Sequence, residues 1–216
     1  MQIVLYYAPI TCSMVPYINL TEAGVDFEVR CINLAKGQQL SPEYVKINPK
    51  HKVPLLIIDG RSLSENVAIH AWIASQFPQS GLQPEDPWEQ CQALSIMSWF
   101  ASGIHPFLTR INNPSKVSSV VGAADSVKAI AKEFLFENFI IADQILHERD
   151  YLFGDYTGPD AHLFWCMRRA GQLGVDLSSL SNLTAHFERM MQRESVKKLL
   201  VFEAETLSSF DKSIGG

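Results

Sequence analysis

"NPKHKVPLLIIDGRSLSENVAI", residues 48–69, is the stretch whose reading decides the fold. Asn48-Pro49 ends the preceding element, because the proline ring disfavours helical backbone at the residue before it. "VPLLIID" is a short apolar run between turn signals, the pattern of a buried strand. Asp59-Gly60 suits the two central positions of a tight hairpin, and "RSLS" then reads as the return strand. Ser64 is the expected N-cap of a helix running to about Gln76, with Glu65 and Asn66 in its first turn. A strand that opens on proline cannot donate a ladder N–H there. Pro54 therefore marks either an edge position or a cis Val53-Pro54 bond.

Upstream, the same habits continue. "IVLYY" (3–7) is a strand, residues 13–23 read as a helix closed by Gly24, and "DFEVRCINL" alternates with period two as a strand does. "SPEYVKI" supplies a short helical turn. The order over residues 1–77 is thus β-α-β-α-β-β-α, with a parallel right-handed first βαβ unit and an antiparallel final pair. Residues 78–87, "PQSGLQPEDP", have the composition of a linker. Beyond it the patterns are helical, over about 88–111, 124–149, 159–173, 180–192 and 195–207, so residues 88–216 form an all-α domain.

Composition bounds the function. The 216 residues are 47% hydrophobic, enough for a sizeable core. A net charge of -5 argues against a nucleic-acid footprint. The first 77 residues hold six Lys/Arg and six Asp/Glu, which places the excess acid in the helical half. No apolar run reaches the roughly 18 residues of a membrane span, so no membrane association is expected. The chain enters its first strand without the basic and apolar start of a signal peptide, which reads as a cytoplasmic protein. Cys12, Cys31, Cys91 and Cys166 are too dispersed for a disulfide framework. The six histidines lack the spacing of a metal site, so no metal is expected.

Cys12, after the loop "API", raises a chemical question. A thiol at a helix start meets unpaired N–H groups and the positive end of the macrodipole, so its pKa should fall below about 8.5. Ser13 and the loop suggest an exposed turn. No second cysteine follows in C-x-x-C spacing, so any partner sulfur comes from outside the chain. The bland reading of Cys12 is a small apolar residue. For "SENVAI" it is helix capping; the sharper one is a site for an amino-acid head group, with a carboxylate at the helix start and an ammonium on Glu65.

Together the strand-loop-Cys start, "NPKHKVPLL", "SENVAI" and the linker into a helical half resemble the cytosolic glutathione transferase superfamily. "LFGDYTGPDAHLF" (152–164) resembles the family's helix-start motif, with Thr157 and Asp160 as a capping box and Pro159 in the first turn. A cysteine after the first strand is most like the bacterial beta class. The resemblance implies a thioredoxin-like domain (1–77) that binds glutathione and a helical domain (88–216) that lines the pocket of a small electrophilic substrate. It implies catalytic roles for Cys12, Ser13 and His105, and glutathione contacts from Lys36, Lys52, Val53, Pro54, Glu65 and Asn66. Val53 would pair its backbone with the cysteinyl part, Glu65 and Asn66 would hold the γ-glutamyl end, and Lys36 is a candidate for the glycyl carboxylate.

Two departures from the family pattern stand out. Asn66 replaces a commoner serine or glycine. Pro106 follows His105 where the family has lysine, which removes a cation and bends the helix. The family also implies a homodimer. The reading is a transferase that activates the glutathione thiol for attack on an electrophile, with thiol-disulfide exchange through Cys12 as a second activity. A glutathione-dependent disulfide reductase and a non-catalytic binding protein of the same fold are the alternatives. Tyr6 and Tyr7 read as core or pocket wall, and Cys31, Cys91 and Cys166 as packing.

Overall fold

The computed structural model describes residues 1–212. Four strands, β1 (Ile3–Tyr7), β2 (Glu28–Cys31), β3 (Leu55–Ile58) and β4 (Arg61–Ser64), form one sheet in the order β2-β1-β3-β4. β1 pairs in parallel with β2, whereas β3 is antiparallel to both β1 and β4. The helices of this part are α1 (Met14–Glu22), α2 (Pro42–Ile47) and α3 (Asn66–Gln76). Asp59 and Gly60 take φ of 46° and 81°, and Ile58 faces Arg61 across the two-residue turn. Both central residues with positive φ match the strand twist, which is why Asp-Gly sits there. Leu5, Leu55, Leu56, Ile18, Ile69 and Ile73 are fully buried and make the core.

The remaining helices are α4 (Pro87–Trp99), α5 (His105–Asn112), α6 (Ala124–Ile145), α7 (Gly158–Gln172), α8 (Ser181–Gln192) and α9 (Glu194–Lys212). The expected single helix over 88–111 is broken by a π-turn, Phe100–Ile104, in which the His105 N–H reaches the Phe100 carbonyl. Pro106 has no N–H to continue an α-ladder, and the wider turn re-registers the chain just ahead of it. Gly103 lies in that turn, where a Cβ would come within 2.7 Å of the Trp99 ring. Thr157 caps α7 in a capping box with Asp160, as expected. No helix among the described residues is long and apolar enough to cross a membrane.

The chain divides into two compact units, but not at the expected place. Met1–Gln83 group with the chain from Met191 onward, and Pro84–Met190 form the other unit. Helix α9 therefore belongs with the sheet, not with the helices that precede it. Arg193 clasps Glu22 of α1 through two bonds of 2.7 and 2.8 Å, and Ser195 donates to the same carboxylate. Phe202 stacks on Tyr17 at 5.4 Å and meets Tyr7 edge-on at 5.6 Å.

Candidate active site

Cys12 and Ser13 end the loop between β1 and α1, and both are buried, which corrects the expected exposed turn. Ser13 is the N-cap of α1, but its hydroxyl works on the loop. It donates to the Ala8 carbonyl at 3.0 Å, accepts from the Ala8 N–H at 3.0 Å, and lies 2.6 Å from Thr11 Oγ1. Its one proton is committed to the Ala8 carbonyl or to Thr11, and a lone pair to the Ala8 N–H. Ser13 ties the loop closed, and its hydroxyl is not an open donor for a ligand's sulfur.

Two further groups hold that loop, and neither was legible as such. Glu203 of α9, 2% exposed, accepts from the Tyr7 hydroxyl at 3.0 Å and from the Ile10 N–H at 2.7 Å. Ile10 takes a φ of 68°, a conformation a bulky residue adopts only when its surroundings fix it. Tyr7 is thus neither a plain core residue nor a pocket wall. It is one end of a polar clamp.

The Val53-Pro54 bond is cis, and the Cys12 thiol donates to the Val53 carbonyl at 3.8 Å. Asn66 Nδ2 donates to the Cys12 carbonyl at 3.1 Å. Glu65, not Ser64, is the N-cap of α3, with φ of 75°. Its side chain makes no cap bond and is exposed. Its Oε1 meets Lys50 Nζ at 2.7 Å, and the same amine donates to Ser64 Oγ at 3.0 Å. The Lys52 side chain is exposed, while its carbonyl accepts from Tyr44 and Asn48 and so braces the turn into Val53. Cys12, Val53, Pro54, Glu65 and Asn66 are therefore brought together, with Lys52 beside them.

The electrostatics overturn one expectation. Burial pushes the Cys12 thiol up to about 12, against a helix-start effect that was expected to lower it. The backbone N–H of Cys12 and the Asn66 amide pull the other way. Glu65's charge raises the value further, and Lys52's lowers it. Desolvation wins because only 8% of the residue reaches solvent. Burial thus favours the protonated thiol at neutral pH.

Lys36 lies exposed in the turn after β2, where its N–H bonds Asn33 Oδ1. His105 opens α5 in the other unit, with its ring edge-on to Trp165 at 4.6 Å. Cys91 is exposed, not packed, while Cys166 is buried as expected. No group of three or more His, Cys, Asp or Glu able to hold a metal lies among the described residues.

A thioredoxin-like sheet carrying a cysteine after β1, a cis-proline opening β3 and an acid at the start of α3 defines a glutathione-binding class of domain. Residues 1–75 match the family model for the glutathione S-transferase N-terminal domain. The chain is 33% identical over 203 residues to glutathione S-transferase GST-4.5 of Xanthomonas campestris pv. campestris, covering 92% of this chain and 98% of that protein. A Sulfitobacter glutathione transferase homologue, solved with bound glutathione, superposes with a TM-score of 0.86 at 26% identity, covering 92% and 96% of the two chains. The bacterial beta class glutathione S-transferase of Sphingomonas chungbukensis gives 0.81 at 29% identity, covering 93% and 98%. The chain belongs to the glutathione S-transferase family.

Proposed function

We propose that this glutathione transferase binds glutathione across Val53, Glu65 and Cys12 and conjugates it to a small electrophile, with the Cys12 S–H turning from the Val53 carbonyl to the glutathione sulfur. The observation that carries the reading is the convergence of the Cys12 thiol, the Val53 carbonyl and the Glu65 carboxylate at one end of the strands. Glu65, exposed and acidic, suits the ammonium of the γ-glutamyl end. The Val53 main chain suits the cysteinyl peptide unit, which brings the ligand's sulfur to Cys12. A thiol donor and the positive end of α1 both favour the ligand's thiolate over its thiol. That thiolate attacks the electrophile, a C–S bond forms, and the leaving group departs with its electron pair.

The raised Cys12 thiol favours conjugation over disulfide reduction. With burial holding the thiol that high, little of Cys12 is thiolate at pH 7. A reductase would need that thiolate as its nucleophile. The exposed Lys36 and Lys52 are proposed for the glycyl carboxylate. The role of His105, a cytoplasmic location and a homodimer rest on the family resemblance, and light scattering at about 24 kDa across concentrations would refute the dimer.

Titration calorimetry tests the site. Glu65→Gln keeps the size of the side chain and removes its charge, so glutathione should bind about 1.5–3 kcal/mol more weakly. Equal affinity would remove Glu65 from the site.

A further inference from the structure

Lys50 places an ammonium on the same carboxylate that the ligand's head group needs. Its backbone is fixed by Asn48, a buried residue whose Oδ1 accepts from the Lys50 N–H at 3.2 Å and whose Nδ2 donates to the Lys52 carbonyl at 2.7 Å. The His51 N–H closes this turn on the Asn48 carbonyl at 3.0 Å. From that base the Lys50 side chain reaches the start of α3, where Nζ donates to Glu65 Oε1 at 2.7 Å and to Ser64 Oγ at 3.0 Å. The two side chains of the ion pair stay 52% and 66% exposed, so water screens the pair and it can exchange. Lys50 Nζ and the γ-glutamyl amine are the same chemical group, a primary ammonium that only donates. One of them is already seated on Glu65.

We propose that Lys50 is a built-in competitor for the head-group position: its ammonium holds Glu65 in the free protein, and the γ-glutamyl ammonium of glutathione binds by displacing it. This rests on the assignment of Glu65 to that ammonium given above. The exchange replaces one cation by another on one carboxylate, so the new contact is offset by the loss of the old. Lys50 therefore lowers affinity for a ligand that carries the free amine. A ligand without that amine leaves Lys50 in place and is not penalised. The sign of the effect is diagnostic. Glutathione carries two carboxylates and one ammonium, so it is a net anion at neutral pH. Removing a nearby lysine would, through its field alone, weaken the binding of an anion. Removing a competitor strengthens it.

Titration calorimetry with glutathione tests this on the full chain. Lys50→Met keeps most of the apolar stem and removes the cation, and should tighten binding about two- to fivefold, the range of an exposed ion pair. Lys50→Arg keeps a cation on Glu65 and should show no gain. In a Glu65→Gln background the gain from Lys50→Met should shrink to within about 1.5-fold, because a neutral amide holds Lys50 only weakly. A glutathione analogue with hydrogen in place of the γ-glutamyl amine should also show no gain. Equal or weaker glutathione binding by Lys50→Met would overturn the proposal. So would a gain that persists in the Glu65→Gln background or that the amine-free analogue shares, since neither then passes through Glu65. Glu65→Gln alone separates the two levels of the account. If it binds glutathione as tightly as the unsubstituted protein, the head-group assignment fails and the proposal falls with it. If it binds more weakly while Lys50→Met shows no gain, the assignment stands and only the competitor is refuted.

Discussion

Glu203 offers the sharpest test of how the active loop is held. Its carboxylate sits 2% exposed on α9 and accepts from Tyr7 Oη at 3.0 Å and from the Ile10 N–H at 2.7 Å. Glu203→Ala takes the acceptor from the buried Tyr7 hydroxyl, at about 1–3 kcal/mol, and from the half-buried Ile10 N–H, at less, so the variant should lose roughly 1–4 kcal/mol. Glu203→Gln keeps an acceptor and loses only the charge assistance, a loss of about 1–2 kcal/mol. Tyr7→Phe removes one donor together with its demand for a partner, and should lose about 1 kcal/mol. Because Tyr7 and Glu203 touch, their effects should not add. The double variant should recover about 1–3 kcal/mol relative to the sum of the two single changes. Urea unfolding supplies these values from midpoints at constant slope. A loosened loop should also admit iodoacetamide to Cys12 faster. Glu203→Ala within about 0.5 kcal/mol of the unsubstituted protein, or a coupling near zero, would refute the clamp.

His70 and Asp160 carry the remaining predictions. Burial holds His70 at about 4, below its ordinary 6.5, so the folded state disfavours its protonation. Its contribution is complete above pH 6.5 and is lost as pH falls through 4, by up to roughly 3 kcal/mol, and His70→Leu should flatten that part of the stability profile measured by urea unfolding. Asp160 does more than cap α7. It accepts from the Thr157 N–H at 2.9 Å and from the Leu152 N–H at 3.0 Å, and lies 3.0 Å from His186 Nε2, all buried. Asp160→Ala should therefore lose about 3–5 kcal/mol, above the typical 1 kcal/mol of a cap alone, by thermal or urea unfolding of the variant. A loss of only about 1 kcal/mol would reduce Asp160 to a cap.

Features set by near neighbours in the chain were legible in advance. Asp59-Gly60 determines its hairpin through local φ, Thr157 and Asp160 close a box four residues long, and the period-two and helical patterns ordered β1 to α3 correctly. The cis-proline was one of two readings, since nothing in "KVPLL" separates them. Failures came where distant parts of the chain decide. The pKa of Cys12 follows burial, a tertiary quantity that outweighs the helix-start effect. Ser13 was missed for a local reason instead: the loop doubles back and closes its hydroxyl on Ala8, five residues earlier. The helix start slipped from Ser64 to Glu65 because Glu65 takes positive φ and gives its carboxylate to Lys50. Glu203 lies 196 residues from Tyr7, and no spacing rule pairs them. The same distance hid the attachment of α9 to the sheet unit. A glutamate placed on a polar helix by its sequence reads as solvated until its partners are known.

The central claim is that glutathione lies along Val53 and Glu65 with its sulfur at a protonated Cys12. A crystal structure of the protein soaked in glutathione measures this most directly. The account predicts the γ-glutamyl ammonium on the Glu65 carboxylate, the cysteinyl unit paired with the Val53 main chain, and the ligand's sulfur within hydrogen-bonding reach of Cys12 Sγ, unbonded to it. Glutathione bound elsewhere, or seated there with its sulfur turned away from Cys12, would contradict it.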